Sequence, residues 1–518
     1  MLENDLTTEQ GFSLEDKNFE SSATAPSLDE LSQIFHVQST EENKSEAKLS
    51  EGKKLEEDLL NKHEHLYDIY DKQTIQSAFS FAEDYRIFLD KSKTEREAVK
   101  EGITLLSALG FTSLDEADSL QAGDKVYKSI HGKGLVAAVI GEASIRDGFA
   151  ILGAHLDSPK IDLKPRPLYE EGDMAFFKTH YYGGVKKYQW TTIPLALHGT
   201  VVRKDGSVID FRIGEDDEDP IFMISDLLIH LSADQMQKKA SEVITGEELN
   251  ILVGGRPIAH KDVSQRFKLG LLQILKTKYN ITERDLITAE ITAVPADKTR
   301  DLGFDRSFLA GYGHDDRVCA YPALRAIAAK NKGERTAVMI LTDKEEVGSQ
   351  GNTGAQSQSY ENFLMEIYAK VEGSYDVLGF FKALENSHML STDVTVGYDP
   401  NFPSTVDPKN VCYMGHGVAL TKYTGVRGKG GSNDANAEFF SQVAHLMDAQ
   451  NVPWQTGELG KVDQGGGGTI ALDYANRGMH VIDCGVPVLN MHAPNEIIHK
   501  LDLYSTYQAY RAFIENIA

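Results

Sequence analysis

From about residue 63 onward the apolar positions fall into helical spacing. The clearest instance follows Thr94, where Val99, Ile103 and Leu106 stand four and three apart. Thr94 and Glu97 form a capping box ahead of that run, and Gly110 supplies a C-terminal stop. A hairpin is predicted next, with Val126-Tyr127 and the apolar run Leu135 to Ile140 flanking His131-Gly132-Lys133-Gly134. The run Phe149 to His155 is almost continuously apolar and too short for a typical helix, so it reads as a strand buried on both faces.

Between about 160 and 300 the pattern shifts to short strands and turns. Thr200 to Arg203 and Val208 to Arg212 flank a Lys204-Asp205-Gly206 turn, and Glu215 to Asp219 form an acidic loop. Helical spacing returns over Arg317 to Lys330, followed by the apolar strand Ala337 to Leu341 and further alternations near 390–397, 434–447 and 479–489. Strands alternating with helices predict an α/β fold, a mostly parallel sheet flanked by helices. The simplest organisation is one discontinuous α/β domain, 63–160 and 300–518, with a β-rich domain, 161–299, inserted between its segments.

Composition changes the picture at one end. Residues 1–62 are rich in Ser, Thr and acidic groups, and the first 60 carry 15 acidic against 5 basic residues, which predicts a flexible or loosely helical leader. The whole 518-residue chain has a formal charge of −25, which disfavours nucleic acid and anionic membrane surfaces as partners. Three widely spaced cysteines, Cys319, Cys412 and Cys484, offer no CxxC pair and read as buried thiols in a reducing compartment. Without a signal-type N-terminus or an apolar run of spanning length, cytoplasmic residence is the expectation.

The candidate chemistry sits where apolar strands end. His155 and Asp157 are two apart at the close of the buried strand, so they project to the same side, and a ligating histidine commonly gives its other ring N–H to such a carboxylate. Gly313-His314-Asp315-Asp316-Arg317 places two carboxylates ahead of a helix; capping accounts for one of them, and the other is free to bridge two metal ions. Glu345 and Glu346 lie just beyond the strand Ala337 to Leu341, the end at which open α/β sheets bind ligands. Adjacent residues point in different directions, so one glutamate can ligate while the other acts as a base. Asp393 stands near the start of a β-type run, and His492 follows the apolar segment Val481 to Leu489. Each position alone is explicable as a turn, a cap or a solvated acidic loop. Together, two histidines and several carboxylates beside strand ends suit zinc, with manganese or cobalt as substitutes.

The ordered set Gly-Ala-His155-Leu-Asp157-Ser-Pro, Gly-His-Asp315-Asp316-Arg, Asp-Lys-Glu345-Glu346-Val-Gly, Ser-Thr-Asp393 and Asn-Met-His492 resembles the M18 metallopeptidases, the aspartyl aminopeptidase and aminopeptidase I group, over roughly 65–518. The resemblance implies an aminopeptidase with two zinc ions, one held by His155 and Asp393, the other by Glu346 and His492, with Asp315 on both. It implies that Asp157 orients His155 and that Glu345 is the general base on a water bridging the ions. Tyr182-Gly183-Gly184 and the Gly465 to Thr469 run match segments lining the family's active site, where glycine lets backbone approach substrate. Gly467, Thr469 and Lys429 are accordingly the candidate substrate contacts, together with His230, which resembles a histidine reaching a neighbouring subunit's site. The inserted domain would serve dimerisation, within a dimer-based homo-oligomer that in this family is a dodecamer.

Two features depart from the resemblance. The acidic leader has no counterpart in the shorter cytoplasmic relatives, and the loop from Thr421-Lys422-Tyr423 to Arg427-Gly428-Lys429 diverges from the aspartyl-type pattern. The expected function is therefore hydrolysis of N-terminal residues from peptides, with the choice between acidic and neutral residues open. A related dinuclear amide hydrolase, such as a deacetylase or dipeptidase, and a non-catalytic metal-stabilised scaffold are the competing readings. A purely structural metal site has no use for an unligated base such as Glu345.

Overall fold

The computed structural model describes residues 26–27, 30–31, 50–61, 64–331 and 333–517. These fall into two compact units, Met1–Leu60 with Gly303–Arg306, and Asn61–Leu302 with Ser307–Ala518. Most of the stretch read as a leader, 1–62, lies outside the described residues. In the first unit the helix Glu51–Leu59 begins at Ser50, whose side chain accepts the Lys53 N–H, and none of its residues is buried. No helix among the described residues is long and apolar enough to cross a membrane.

Three sheets organise the second unit. With strands numbered in chain order, the largest runs β1 (Thr112–Ser113), β2 (Lys125–Ile130), β3 (Gly134–Val139), β14 (Thr336–Thr342), β4 (Phe149–His155), β15 (His388–Ser391), β19 (His480–Gly485), β17 (Val418–Thr421) and β18 (Trp454–Gln455). Its central four strands, β14, β4, β15 and β19, are mutually parallel. The predicted β2–β3 hairpin is present and pairs antiparallel.

Every residue of β4 and β14 is buried, as their unbroken apolar runs require. Alternation divides those residues between two cores. Ala150, Leu152, Ala154, Ala337, Met339 and Leu341 pack on one face with the helices Lys72–Lys91, Glu95–Ala108, His314–Ala329, Ala437–Ala449 and Lys500–Asn516. Phe149, Ile151, Val338 and Ile340 pack on the other with Gln358–Glu372, Val377–Glu385 and Ala471–Ala475. The Thr94–Glu97 capping box opens the helix Glu95–Ala108 as predicted.

The second sheet, wholly antiparallel, runs β8 (Val208–Ile213), β7 (Leu195–Val202), β11 (Glu290–Pro295), β5 (Lys160–Glu171), β6 (Met174–Tyr182), β10 (Ile251–Gly254) and β9 (Met223–Ile224). It has its own apolar core. The strand pattern read between 160 and 300 holds, but the same segment also folds a 14-residue helix, Arg266–Tyr279, which was not expected. Only Leu275 of its residues is buried, which explains why no broad apolar stripe marks it. The third sheet runs β12 (Arg300–Leu302), β13 (Phe308–Gly311), β21 (Glu496–His499), β20 (Pro487–Leu489) and β16 (Thr395–Val396).

The helix Lys500–Asn516 is tied to the loop entering β17 by one buried side chain. Asp502 accepts the N–H of Gly415 at 2.7 Å and of Gly417 at 2.8 Å. Burial pushes its carboxyl up to about 7, against the pull of those amides. The folded state therefore holds a proton that the unfolded chain releases, so this group's contribution to stability is present at low pH and falls as pH rises from about 4 to about 7. Wild type should accordingly lose ground against Asp502→Asn by on the order of 1 kcal/mol per pH unit across that window. Thermal melts of both proteins from pH 4 to pH 8 check this; a gap independent of pH would mean that Asp502 is ionised throughout.

Candidate metal centre

The site is built on the C-terminal edge of the parallel strands. His155 closes β4 and pairs with Thr342 at the end of β14, so Glu345 and Glu346 emerge from the loop directly beside it. Ser391 lies across from Gly153 at the end of β15, which places Asp393 two residues past that strand. Asp393 thus follows a strand and precedes only the two-residue β16, rather than opening a longer run. Asp315 follows β13, and His492 lies between β20 and β21, so the third sheet contributes the remaining pair.

All six side chains meet around Asp315. Its Oδ1 lies 3.2 Å from His155 Nε2, and its Oδ2 lies 3.1 Å from His492 Nε2. Glu346 Oε2 is 3.4 Å from His492 Nε2, while Asp393 Oδ1 and Glu345 Oε2 are 3.9 and 3.8 Å from His155 Nε2. Two compact donor sets result, His155–Asp315–Asp393 and Asp315–Glu346–His492, with Asp315 common to both; His155, Glu345 and Glu346 form a third close group.

Both histidines are presented in one way. His155 Nδ1 is 2.9 Å from the Asp157 carbonyl, and His492 Nδ1 is 2.9 Å from the Gly184 carbonyl. A carbonyl only accepts, so each Nδ1 carries a proton and each ring turns its Nε2, the atom left to ligate a metal, toward Asp315. This refines the expected role of Asp157. Its backbone oxygen is the nearer partner of His155, since its carboxylate stands 3.4 Å from Nδ1. That carboxylate also accepts the N–H groups of Glu345 and Glu346, at 3.1 and 3.2 Å, and the Tyr182 hydroxyl at 2.8 Å.

Asp316 also differs from expectation. The helix His314–Ala329 starts at Gly313 with no side-chain cap, and the Asp315–Asp316 peptide is cis. Rather than capping, the buried Asp316 accepts the His155 N–H at 3.2 Å. Glu496, to which the sequence assigned no role, accepts the N–H of Asp315 at 3.0 Å and of His492 at 2.7 Å. Its only signal was an acidic residue beginning a short strand four positions after His492. Ser158 was missed as well; its hydroxyl donates to the Asp315 carbonyl.

Charge in this cluster is unbalanced toward the negative. Burial, reinforced by neighbouring carboxylates, holds Glu346 and Asp393 well above the usual carboxylate range and pushes Glu345 up to about 7. Despite its burial, Asp315 is held low by the two histidines, and His155 is held high by Asp157 and Asp315. Glu346 Oε1 is buried without a hydrogen-bond partner. Imidazole Nε2 atoms and carboxylate oxygens converging on a shared carboxylate, with one oxygen orphaned, form a donor set fitted to borderline divalent cations such as zinc.

The expected substrate contacts are placed less centrally. Gly183 and Gly184 do approach the cluster: a Cβ on Gly183 would stand 3.3 Å from Glu346 Oε2, and one on Gly184 3.4 Å from His492 Nδ1. Thr469 donates to Asp483 at 2.8 Å, and Gly467 donates its N–H to the Thr424 carbonyl. Lys429 pairs with Asp434 at 2.9 Å and lies 3.7 Å above the Tyr423 ring. His230 is exposed on the short turn Ile229–Leu231.

A mostly parallel sheet with histidine and carboxylate donors at its strand ends defines a metal-dependent hydrolase of the α/β class. Comparison with known proteins narrows this. The model of the aminopeptidase I zinc metalloprotease family (M18) matches residues 88–514. A probable M18 family aminopeptidase 1 of Clostridium acetobutylicum is 48% identical over 463 residues, covering 89% of this chain and 99% of the relative. The crystal structure of an M18 aminopeptidase from Thermotoga maritima superimposes with a TM-score of 0.85 at 42% identity, covering 88% of this chain and 100% of that one. Aminopeptidase I from C. acetobutylicum gives 0.83 at 46%, with the same coverage. The chain belongs to the M18 aminopeptidase family, and is a hydrolase of that kind.

Zinc should therefore stabilise the folded chain by neutralising the buried carboxylates. A ligand at a thousand times its Kd adds about 4 kcal/mol. Adding zinc to the metal-free protein should raise its melting temperature in calorimetry, and Asp315→Ala, which removes the shared donor, should abolish the rise. An undiminished rise in that variant would locate the zinc elsewhere.

Proposed function

We propose that the chain is a dinuclear zinc aminopeptidase in which His155 and Asp393 would hold one ion, Glu346 and His492 the other, and Asp315 both. The single observation that carries this reading is that the two oxygens of Asp315 face two different histidines, at 3.2 and 3.1 Å. Manganese or cobalt would substitute for zinc in such a mixed donor set. When bound, the ions polarise the scissile carbonyl and make water at the site more acidic.

The chain's own residues then divide the work. Glu345 is the general base: it takes a proton from the attacking water onto Oε2 as the water oxygen bonds to the carbonyl carbon. As the C–N bond breaks, Glu345 returns that proton to the leaving amine nitrogen. Asp157, through the amides of Glu345 and Glu346, keeps base and ligand in register. Gly183 and Gly184 leave room for substrate backbone beside Glu346 and His492. Thr469, Gly467 and Lys429 bind the substrate's N-terminal residue.

Residues 161–299 form the inserted domain, used for pairing with a second copy. The exposed apolar residues Leu227, Leu228, Ile229, Leu231 and Met236 around His230 support an interface there, through which His230 would reach the neighbouring site. A dimer-based dodecamer is the assembly we favour; a distant neighbour, the yeast protein described as the mApe1 dodecamer, shares the fold at a TM-score of 0.68. Peptides are the substrates and the cytoplasm the compartment, consistent with three buried, free cysteines.

Glu345→Gln should keep its zinc and lose roughly 10²–10⁴-fold in kcat, the range expected for a general base. A variant with near wild-type turnover would remove Glu345 from the mechanism. On a longer peptide the wild type should release residues stepwise from the N-terminus; release of an acyl group or of intact dipeptides would point to a related amide hydrolase instead.

A further inference from the structure

Three buried carboxylates surround the cluster without belonging to either donor set that shares Asp315. Asp157 holds the amides of Glu345 and Glu346, Asp316 holds that of His155, and Glu496 holds those of Asp315 and His492. Glu496 differs from the other two in spanning both ligands at the shared corner, where Asp315 Oδ2 and His492 Nε2 stand 3.1 Å apart. We propose that Glu496 is a positioning residue for the metal centre, setting the separation of Asp315 and His492 through their backbone N–H groups. This rests on the dinuclear reading above.

The geometry singles it out. Two N–H donors converge on one side chain, and only a carboxylate offers two acceptor oxygens with no donor of its own. A glutamine would satisfy one amide and turn its NH2 toward the other. Glu496 faces Gly311 in the β13–β21 pairing, the same pair of strands from whose ends Asp315 and His492 depart. One short piece of sheet thus anchors both ligands and the group between them. Placing a second buried carboxylate beside Asp315 is electrostatically adverse, which argues against a role confined to packing. The opposite sides of the two ligands are held independently, by Ser158 on the Asp315 carbonyl and by the Gly184 carbonyl on the His492 ring. Losing Glu496 therefore frees the two main-chain amides without releasing either residue altogether.

The test is zinc titration of the metal-free full chain against a chromophoric chelator, for wild type, Glu496→Gln and Glu496→Ala. Wild type should bind two ions per chain. Both variants should bind the ion that Glu346 and His492 would hold 10–100-fold more weakly, the usual cost of removing an outer partner of a ligand, and the other ion, which shares only Asp315 with it, by a smaller factor. Two ions bound with wild-type affinity by Glu496→Gln would overturn the inference, as would equal weakening of both. A wild type that takes fewer than two ions overturns the dinuclear reading along with it. Amide hydrogen exchange on the metal-free wild type needs no variant: slow exchange at Asp315 and His492 is expected, and bulk-rate exchange there would overturn the proposal.

Discussion

The structure turns on one carboxylate shared by two imidazoles. Asp315 stands between His155, which closes β4 of the largest sheet, and His492, in the loop between β20 and β21 of the third. For its two oxygens to face both rings, the C-terminal edge of the parallel sheet and the β13–β21 pair must meet to within hydrogen-bond tolerance. The helix His314–Ala329 makes that possible. Asp315 lies in its first turn, and the helix packs against β4, the strand that ends in His155. The same helix therefore covers the sheet and delivers the shared ligand.

Much of this was legible because burial leaves a periodic trace. β4 and β14 are buried on both faces, so their runs are continuous in sequence, and the chemistry closes the first at His155 and follows the second at Glu345 and Glu346. Every metal donor named from the sequence falls in one of the two sets sharing Asp315. What the sequence could not disclose was which group holds which amide. Asp157 reads as an orienting carboxylate and one aspartate of the 315–316 pair as a helix cap, yet Asp157 also holds the amides of Glu345 and Glu346 and Asp316 that of His155, because backbone N–H partners leave no mark on residue type. Glu496 was invisible for the same reason.

The antiparallel sheet shows the complementary limit. Its turns were readable from Lys204-Asp205-Gly206, yet the helix Arg266–Tyr279 was not, since almost all of its residues stay partly exposed in a single chain. The turn bearing His230 is similarly opaque. Its neighbours Leu228, Ile229 and Leu231 are apolar but exposed, a pattern that acquires meaning only when a covering surface is considered.

The use of carboxylates to hold ligand amides has an energetic logic. An acceptor-only side chain can fix two N–H groups at once, but each such group adds negative charge to a site already dense with it. Without a cation, that charge is relieved by protons on Glu346, Asp393 and their neighbours, as their raised affinities indicate. With cations, it becomes the attraction that binds them. The framework of amides is thereby set before any metal arrives, and the protons that relieve the donor set's charge are what divalent ions displace. A site assembled from neutral amide side chains would be easier to fold and would hold its metals less tightly.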